Sequence, residues 1–136
     1  MRALLDTSVL IGDEPPTNIE AAISVVSLTE LHFGALVTTD DDERGRRIDR
    51  LSAVEAAFDP LPVTPEVARE WGRLASAVMR RGGNPRRRHI DLAIAATAVV
   101  EKVPLLTHDT AELRIIDDLI DARNPEAGPT YEPAGS

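Results

Sequence analysis

The sequence predicts an α/β domain with a central parallel sheet flanked by helices on both faces. Three observations predict it. Apolar runs such as Leu4-Leu5 and Leu105-Leu106 are short, and each ends in polar residues, as buried strands do. The stretches between them carry apolar residues at helical spacing, and strands separated by helices build a parallel sheet covered on both sides. One helical stretch, His89 to Glu101, is apolar on nearly every face and belongs in the interior.

Composition narrows the class. The 136 residues suffice for one domain with one core. Hydrophobic residues make up 43% and aromatics 3%, so the core is expected to be built from Leu, Ile, Val and Ala. The absence of cysteine excludes disulfides and thiolate metal sites and fits a reducing cytoplasm. Asp6 comes too early for a secretory apolar region, and no apolar run approaches the roughly 20 residues of a membrane span. The formal net charge of -8 argues against whole-surface attraction to nucleic acid. The charge is uneven, however. Arg80, Arg81, Arg86, Arg87 and Arg88 form a basic island with no acid among them, which suits a local nucleic-acid contact.

The elements follow in order. Residues 2–5 read as a strand. Thr7 to Ile11 is a brief helical turn stopped by Gly12 and the Pro15-Pro16 pair. Ile19 to Ile23 is a turn or short helix leading to a second strand, Ile23 to Val26. Ser27 and Glu30 have capping-box spacing, so a helix is expected to open at Ser27, with Leu28, Leu31 and Leu36 supplying apolar positions. Asp40 to Glu43 places negative charge where a helix N-terminus favours it, and that helix runs to about Phe58 with Ile48, Leu51 and Val54 along it. Leu61 to Val63 is a Pro-bounded edge strand. Pro65 opens a helix whose stripe is Val67, Trp71, Leu74, Val78 and Met79. Gly82 to Pro85 is a loop. After the apolar helix, Val103 to Thr107 is a strand, Asp109 and Glu112 open a short helix, and Leu113, Ile115 and Ile116 feed a last extended piece. The domain is expected to occupy residues 1–123, with residues 124–136 a disordered tail rich in Pro, Gly and small side chains.

Four acids stand at the margins of these elements. Each has a plain structural reading: Asp6 and Asp109 as helix caps, Glu30 as half of a capping box, Asp91 as a charge favouring a helix N-terminus. Asp91 resists that reading most. It opens a helix uncharged through Val100, and stabilising the N-terminus contributes only about 0.3–1 kcal/mol. Burying an unpaired charge costs several kcal/mol, so the carboxylate needs water, an arginine or a cation. Ligands of doubly wound sheets bind at the rim beyond the strand carboxyl ends. Asp6 and Asp109 follow strands to that rim, and Glu30 and Asp91 are expected in the first turn of helices that start there. Four carboxylates without Lys or Cys suit a hard cation such as Mg2+ or Mn2+. Thr7, Ser8 and Thr107 add hydroxyls to support them. The three histidines lack zinc-site spacing, and no nucleophile elbow or P-loop is present.

These residues carry a resemblance. Leu-Leu-Asp6-Thr-Ser-Val-Leu-Ile, Ser27-Leu-Thr-Glu30-Leu, Asp91-Leu-Ala-Ile-Ala-Ala-Thr-Ala and Leu-Leu-Thr107-His-Asp109 stand in the order and spacing of PIN-domain ribonucleases. The chain resembles in particular the VapC-type toxins of bacterial toxin–antitoxin pairs, from residue 2 to about 118. The resemblance implies a PIN-like fold and metal-dependent cleavage of structured cellular RNA. It also implies one or two Mg2+ or Mn2+ ions held by Asp6, Glu30, Asp91 and Asp109, with Glu112 as an alternative fourth acid. A homodimer and a VapB-type antitoxin partner are implied with it. The run Arg86-Arg87-Arg88 lies outside the shared pattern. Cations there oppose the helix dipole, and they are expected to contact RNA phosphate.

Two rivals remain at this level. A phosphoacceptor signalling domain also uses strand-end acids, Thr and Mg2+, but needs a strand-end Lys, and the only Lys here, Lys102, precedes its strand. A metal-free interaction module would use the acids only as caps.

Overall fold

A computed structural model describes residues 1–12, 16 and 18–125. Four short strands form one sheet: β1 (Arg2–Leu5), β2 (Glu20–Ala22), β3 (Leu105–Leu106) and β4 (Ala122–Arg123). All pairings are parallel and the order is β2-β1-β3-β4. Five α-helices surround it: α1 (Thr7–Leu10), α2 (Val25–Val37), α3 (Asp41–Ala57), α4 (Pro65–Arg80) and α5 (His89–Glu101). A 3-10 turn, Pro85–Arg88, leads into α5, and a 3-10 segment, Thr110–Ile116, follows β3.

The sheet divides the core as strand alternation dictates. Leu4 and Leu105 face a cluster built with Leu74 and Val78 of α4, most of α5, and Leu113 and Ile116. Ala3, Leu5 and Leu106 face the other side, against Val9, Leu31, Leu51 and Val54. This is the predicted architecture. Leu92 through Ala98 of α5 are all buried, as expected of a helix apolar on nearly every face. Lys102 ends that helix in the left-handed region, at φ 58.

Several local expectations are corrected. The second strand is Glu20–Ala22, not Ile23 to Val26, and α2 begins at Val25. Ser24, not Ser27, is the cap; its side chain accepts from Val26 N at 3.0 Å. Glu30 therefore lies in the second turn, not the first. Leu61 makes a single parallel bridge to Ser24 rather than an edge strand. The third strand is only Leu105–Leu106. Leu113, Ile115 and Ile116 belong to the 3-10 segment, where Leu113 and Ile116 fill the core; the extended piece comes later, as β4. Leu36 and Ile48, counted among the apolar positions of their helices, and Met79, placed in a helical stripe, are exposed. Of the expected tail, residues 126–136 lie outside the described residues.

The Gly82-Gly83 turn has a packing reason. Gly82 sits at φ +88, which glycine adopts without strain. A Cβ on Gly83 would stand 2.8 Å from both Val78 Cγ1 and Ile115 Cδ1. The missing side chain lets the end of α4 close onto the 3-10 segment.

Candidate active site at the carboxyl rim of the sheet

The register of β1 on β3 builds the centre of the site. Leu4 pairs with Leu105 and Leu5 with Leu106, so Asp6 and Thr107 leave the sheet side by side. Asp6 N donates to Leu106 O at 2.9 Å. Thr107 Oγ1 then donates to Asp6 Oδ2 at 2.8 Å, and Ser8 Oγ donates to the same oxygen at 2.8 Å. Each hydroxyl is itself held from behind. Thr107 Oγ1 accepts from Asp109 N and Ser8 Oγ from His108 N, both at 3.0 Å. A hydroxyl has one proton, and here it goes to the carboxylate. Asp6 is only 5% exposed, yet it occupies the cap position of α1 without making a side-chain cap bond. Its carboxylate is used for something other than capping.

Glu30 enters from α2. Its Oε1 takes a hydrogen bond of 2.5 Å from Thr7 Oγ1, which also lies 3.1 Å from the buried Ser27 Oγ. Ser27 was singled out in the sequence for the wrong reason. It lies inside the helix and braces Thr7, a role for which no local sequence pattern exists. Burial raises the Glu30 pKa, the Thr7 bond opposes the rise, and the charges of Asp6 and Asp109 add to it.

Asp91 lies in the first turn of α5, as predicted. Burial raises its pKa to about 6, with further contributions from Asp6, Glu30 and Asp109, while Arg88 pulls it down. Asp109 precedes the 3-10 segment and makes no side-chain cap bond. Each of the four acids thus feels, or is felt by, others of the set. Glu112 stands apart and is ion-paired with Arg88. The fold brings together Asp6, Glu30, Asp91, Asp109, Thr7, Ser8 and Thr107. It leaves Arg86 and Arg87 exposed on the approach to α5, with Arg88 half-buried.

Donor chemistry here is oxygen only, which fits a hard divalent cation. Among the described residues, however, no group of three or more His, Cys, Asp or Glu side chains is placed, as the side chains stand, to hold a metal ion. Buried carboxylates whose pKa is raised further by neighbouring acids, as in Glu30 and Asp91, are the electrostatic counterpart of a site suited to positive charge. Two of the three histidines stay apart: His32 pairs with Glu55 at 3.4 Å, and His89 packs on Trp71 with ring centroids 4.7 Å apart. Lys102 sits at the far end of α5, roughly 16 Å along the axis from Asp91, too distant to serve a phosphoacceptor site.

Residues 3–119 match the family model described as PIN domain. The chain is 36% identical to Ribonuclease VapC5 of Mycobacterium tuberculosis over 113 residues, covering 78% of this chain and 82% of that protein. This is a PIN-domain protein of the VapC family. The VapC-family chain is also 35% identical to Ribonuclease VapC4 of the same organism, with 79% of this chain and 86% of that protein covered. A solved member of the VapBC family of toxin-antitoxin systems, VapBC-5 from Mycobacterium tuberculosis, superposes with a TM-score of 0.76 at 32% identity. The overlap covers 90% of this chain and 96% of that one. VapBC-1 from nontypeable Haemophilus influenzae, at 20% identity and a TM-score of 0.72, shares the fold. Among the described residues no helix is long and apolar enough to cross a membrane.

Proposed function

We propose that this VapC-family protein is a metal-dependent endoribonuclease, the toxin of a toxin–antitoxin pair, acting at the rim formed by Asp6, Glu30, Asp91 and Asp109. The observation that carries the reading is that burial, together with the neighbouring charges of Asp6, Glu30 and Asp109, raises the pKa of Asp91 to about 6. Acids used only as caps have no reason to crowd. The relatives' printed activity, ribonuclease, supports the same conclusion.

Asp6 and Asp91 would be the first ligands of Mg2+ or Mn2+, with Glu30 and Asp109 completing the set directly or through water. A bound divalent cation supplies charge neutralisation for the phosphate and a more acidic water for in-line attack. The chain's own residues do the rest. Thr107 and Ser8 fix the Asp6 carboxylate by its Oδ2 edge. Thr7 turns Glu30 toward the rim. The buried strand ends keep bulk water from the rear of the site.

A homodimer and a VapB-type antitoxin are proposed with the activity. The solved relatives described as VapBC support the partner. Exposed Phe33, Leu36 and Val37 on α2 and Met79 on α4 suit covered surfaces. The test is incubation of cellular RNA with the purified protein and Mg2+ or Mn2+, with mapping of the new RNA ends. Discrete ends, absent with chelator and with Asp91→Asn, support the reading. Equal cleavage by Asp91→Asn rejects it.

A further inference from the structure

Beside the acid rim lies a second concavity of about 640 Å³, well within the size range of ligand sites. The end of α4, the Gly82-Gly83 turn, the 3-10 turn Pro85–Arg88 and the 3-10 segment Thr110–Ile116 enclose it. Three arginines line it: Arg87, Arg88 and Arg114. Its single carboxylate, Glu112, is already paired with Arg88. Arg87 and Arg114 have no ion-pair partner among the described residues. A protein of formal charge -8 thus holds two uncompensated guanidinium groups in one cleft. That cleft opens beside the acids, because its wall residue Arg88 directly precedes α5, whose first turn holds Asp91, and Glu112 lies in the segment that Asp109 opens. Arg86, next in sequence, does not line it.

We infer that this cleft binds the phosphates of a single-stranded RNA segment flanking the scissile bond, with Arg87 and Arg114 as its cations. The inference rests on the nuclease reading and deepens it: the acids cut, and the cleft sets which part of the strand is gripped. Guanidinium groups suit phosphate because they donate in a planar fork. Glu112 holds Arg88 as a fixed wall between cleft and acids, so the negative rim is separated from the negative strand by a cation. Arg114 had no place in the sequence reading, because it is 26 positions from Arg88 and becomes its neighbour only through the closure that Gly83 permits.

The experiment measures binding, not turnover. Full-length Asp91→Asn, with chelator present, is titrated with a short fluorescent single-stranded oligoribonucleotide of mixed sequence at several salt concentrations. Arg87→Ala/Arg114→Ala is then added to that background. The expected result is binding weakened by roughly tenfold or more, with the logarithmic salt slope reduced by about 1.4, or about 0.7 per lost contact. Arg2→Ala/Arg69→Ala, which removes equal charge elsewhere, is expected to leave the slope nearly unchanged. If the cleft pair behaves like that control, the cleft is not an RNA site and only this inference falls. If that result is joined by cleft-dependent binding of a fluorescent acidic peptide, the cleft belongs to a protein partner. If the Asp91→Asn parent binds no RNA, the nuclease reading falls with it.

Discussion

Asp6 and Asp91 face the same rim and are held in opposite ways. Asp6 is nearly sealed from water, yet two hydroxyls donate to it, each braced by a backbone N–H. Asp91 is less buried, receives no hydrogen bond among the described residues, and stands among like charges with Arg88 as its opposing cation. Burial alone therefore does not decide how comfortable a carboxylate is. The hydrogen-bond supply does, because a donor stabilises the ionised form whereas desolvation and neighbouring acids oppose it. One acid is held in place by donors, and the other stands where a cation would relieve it.

The largest expected break in this contrast is Thr107→Val. It removes a donor from a buried carboxylate and a partner from Asp109 N–H at once. Unfolding by urea should show a loss of about 2–3 kcal/mol, and cleavage should fall with it. Ser8→Ala, in the partly buried half of the network, should cost less, about 1–2 kcal/mol. Equal, negligible losses would mean that Asp6 does not depend on its hydroxyls.

Divalent cation should act on the other acid. At 100 times its dissociation constant, Mg2+ or Mn2+ should add about 2.7 kcal/mol to stability through mass action. The rise in Tm should be larger at pH 8 than at pH 5.5, where protons compete for Asp91, and chelator should reverse it. Asp91→Asn should abolish the response.

Without metal, the pH dependence of Asp91 has a definite sign. Its folded pKa of about 6 lies above its unfolded value, so the folded state holds the proton more tightly. Its favourable contribution is greatest below about pH 4, is lost as pH rises to about 6, and stays lost above that. The stability difference between Asp91→Asn and the parent should therefore change across that window and be flat on either side. The asparagine form should equal or exceed the parent at pH 8. The smallest effect is Arg88→Gln. Removing the cation that lowers the Asp91 pKa should move its titration midpoint upward, as followed by carboxyl-carbon NMR.

The same contrast marks what was legible in the sequence. Asp91 was legible because α5 is apolar almost throughout, so a lone acid at its start had to have a purpose. β1 and the order of elements were legible for a related reason: buried strands of a parallel sheet are continuous apolar runs. The start of α2 was not. Ser24 and Ser27 are both good caps, and the Glu three residues beyond Ser27 imitated a capping box; the bridge from Ser24 to Leu61, a nonlocal contact, decided the matter. Leu36 and Met79 stand at apolar positions of their helices yet are exposed, because periodicity names a face without saying whether anything covers it. The Thr107–Asp6–Ser8 network was half legible. The hydroxyls were noticed, but their target depends on a strand register that no single segment encodes.

The position of β1 in the sheet also sets a schedule for synthesis. The strand that leads into Asp6 is the earliest of the four to be made, yet it lies between β2 and β3 in the finished sheet. Its neighbour β3 and the Thr107 hydroxyl arrive 101 residues later. At roughly 5–20 residues per second, the gap lasts about 5–20 seconds. Throughout it Asp6 lacks its Thr107 donor, and until residues 91 and 109 are made the rim holds only two of its four acids, Asp6 and Glu30. On the nuclease reading, a chain not yet made to Thr107 lacks the assembled rim, which is complete only once β3 pairs with β1.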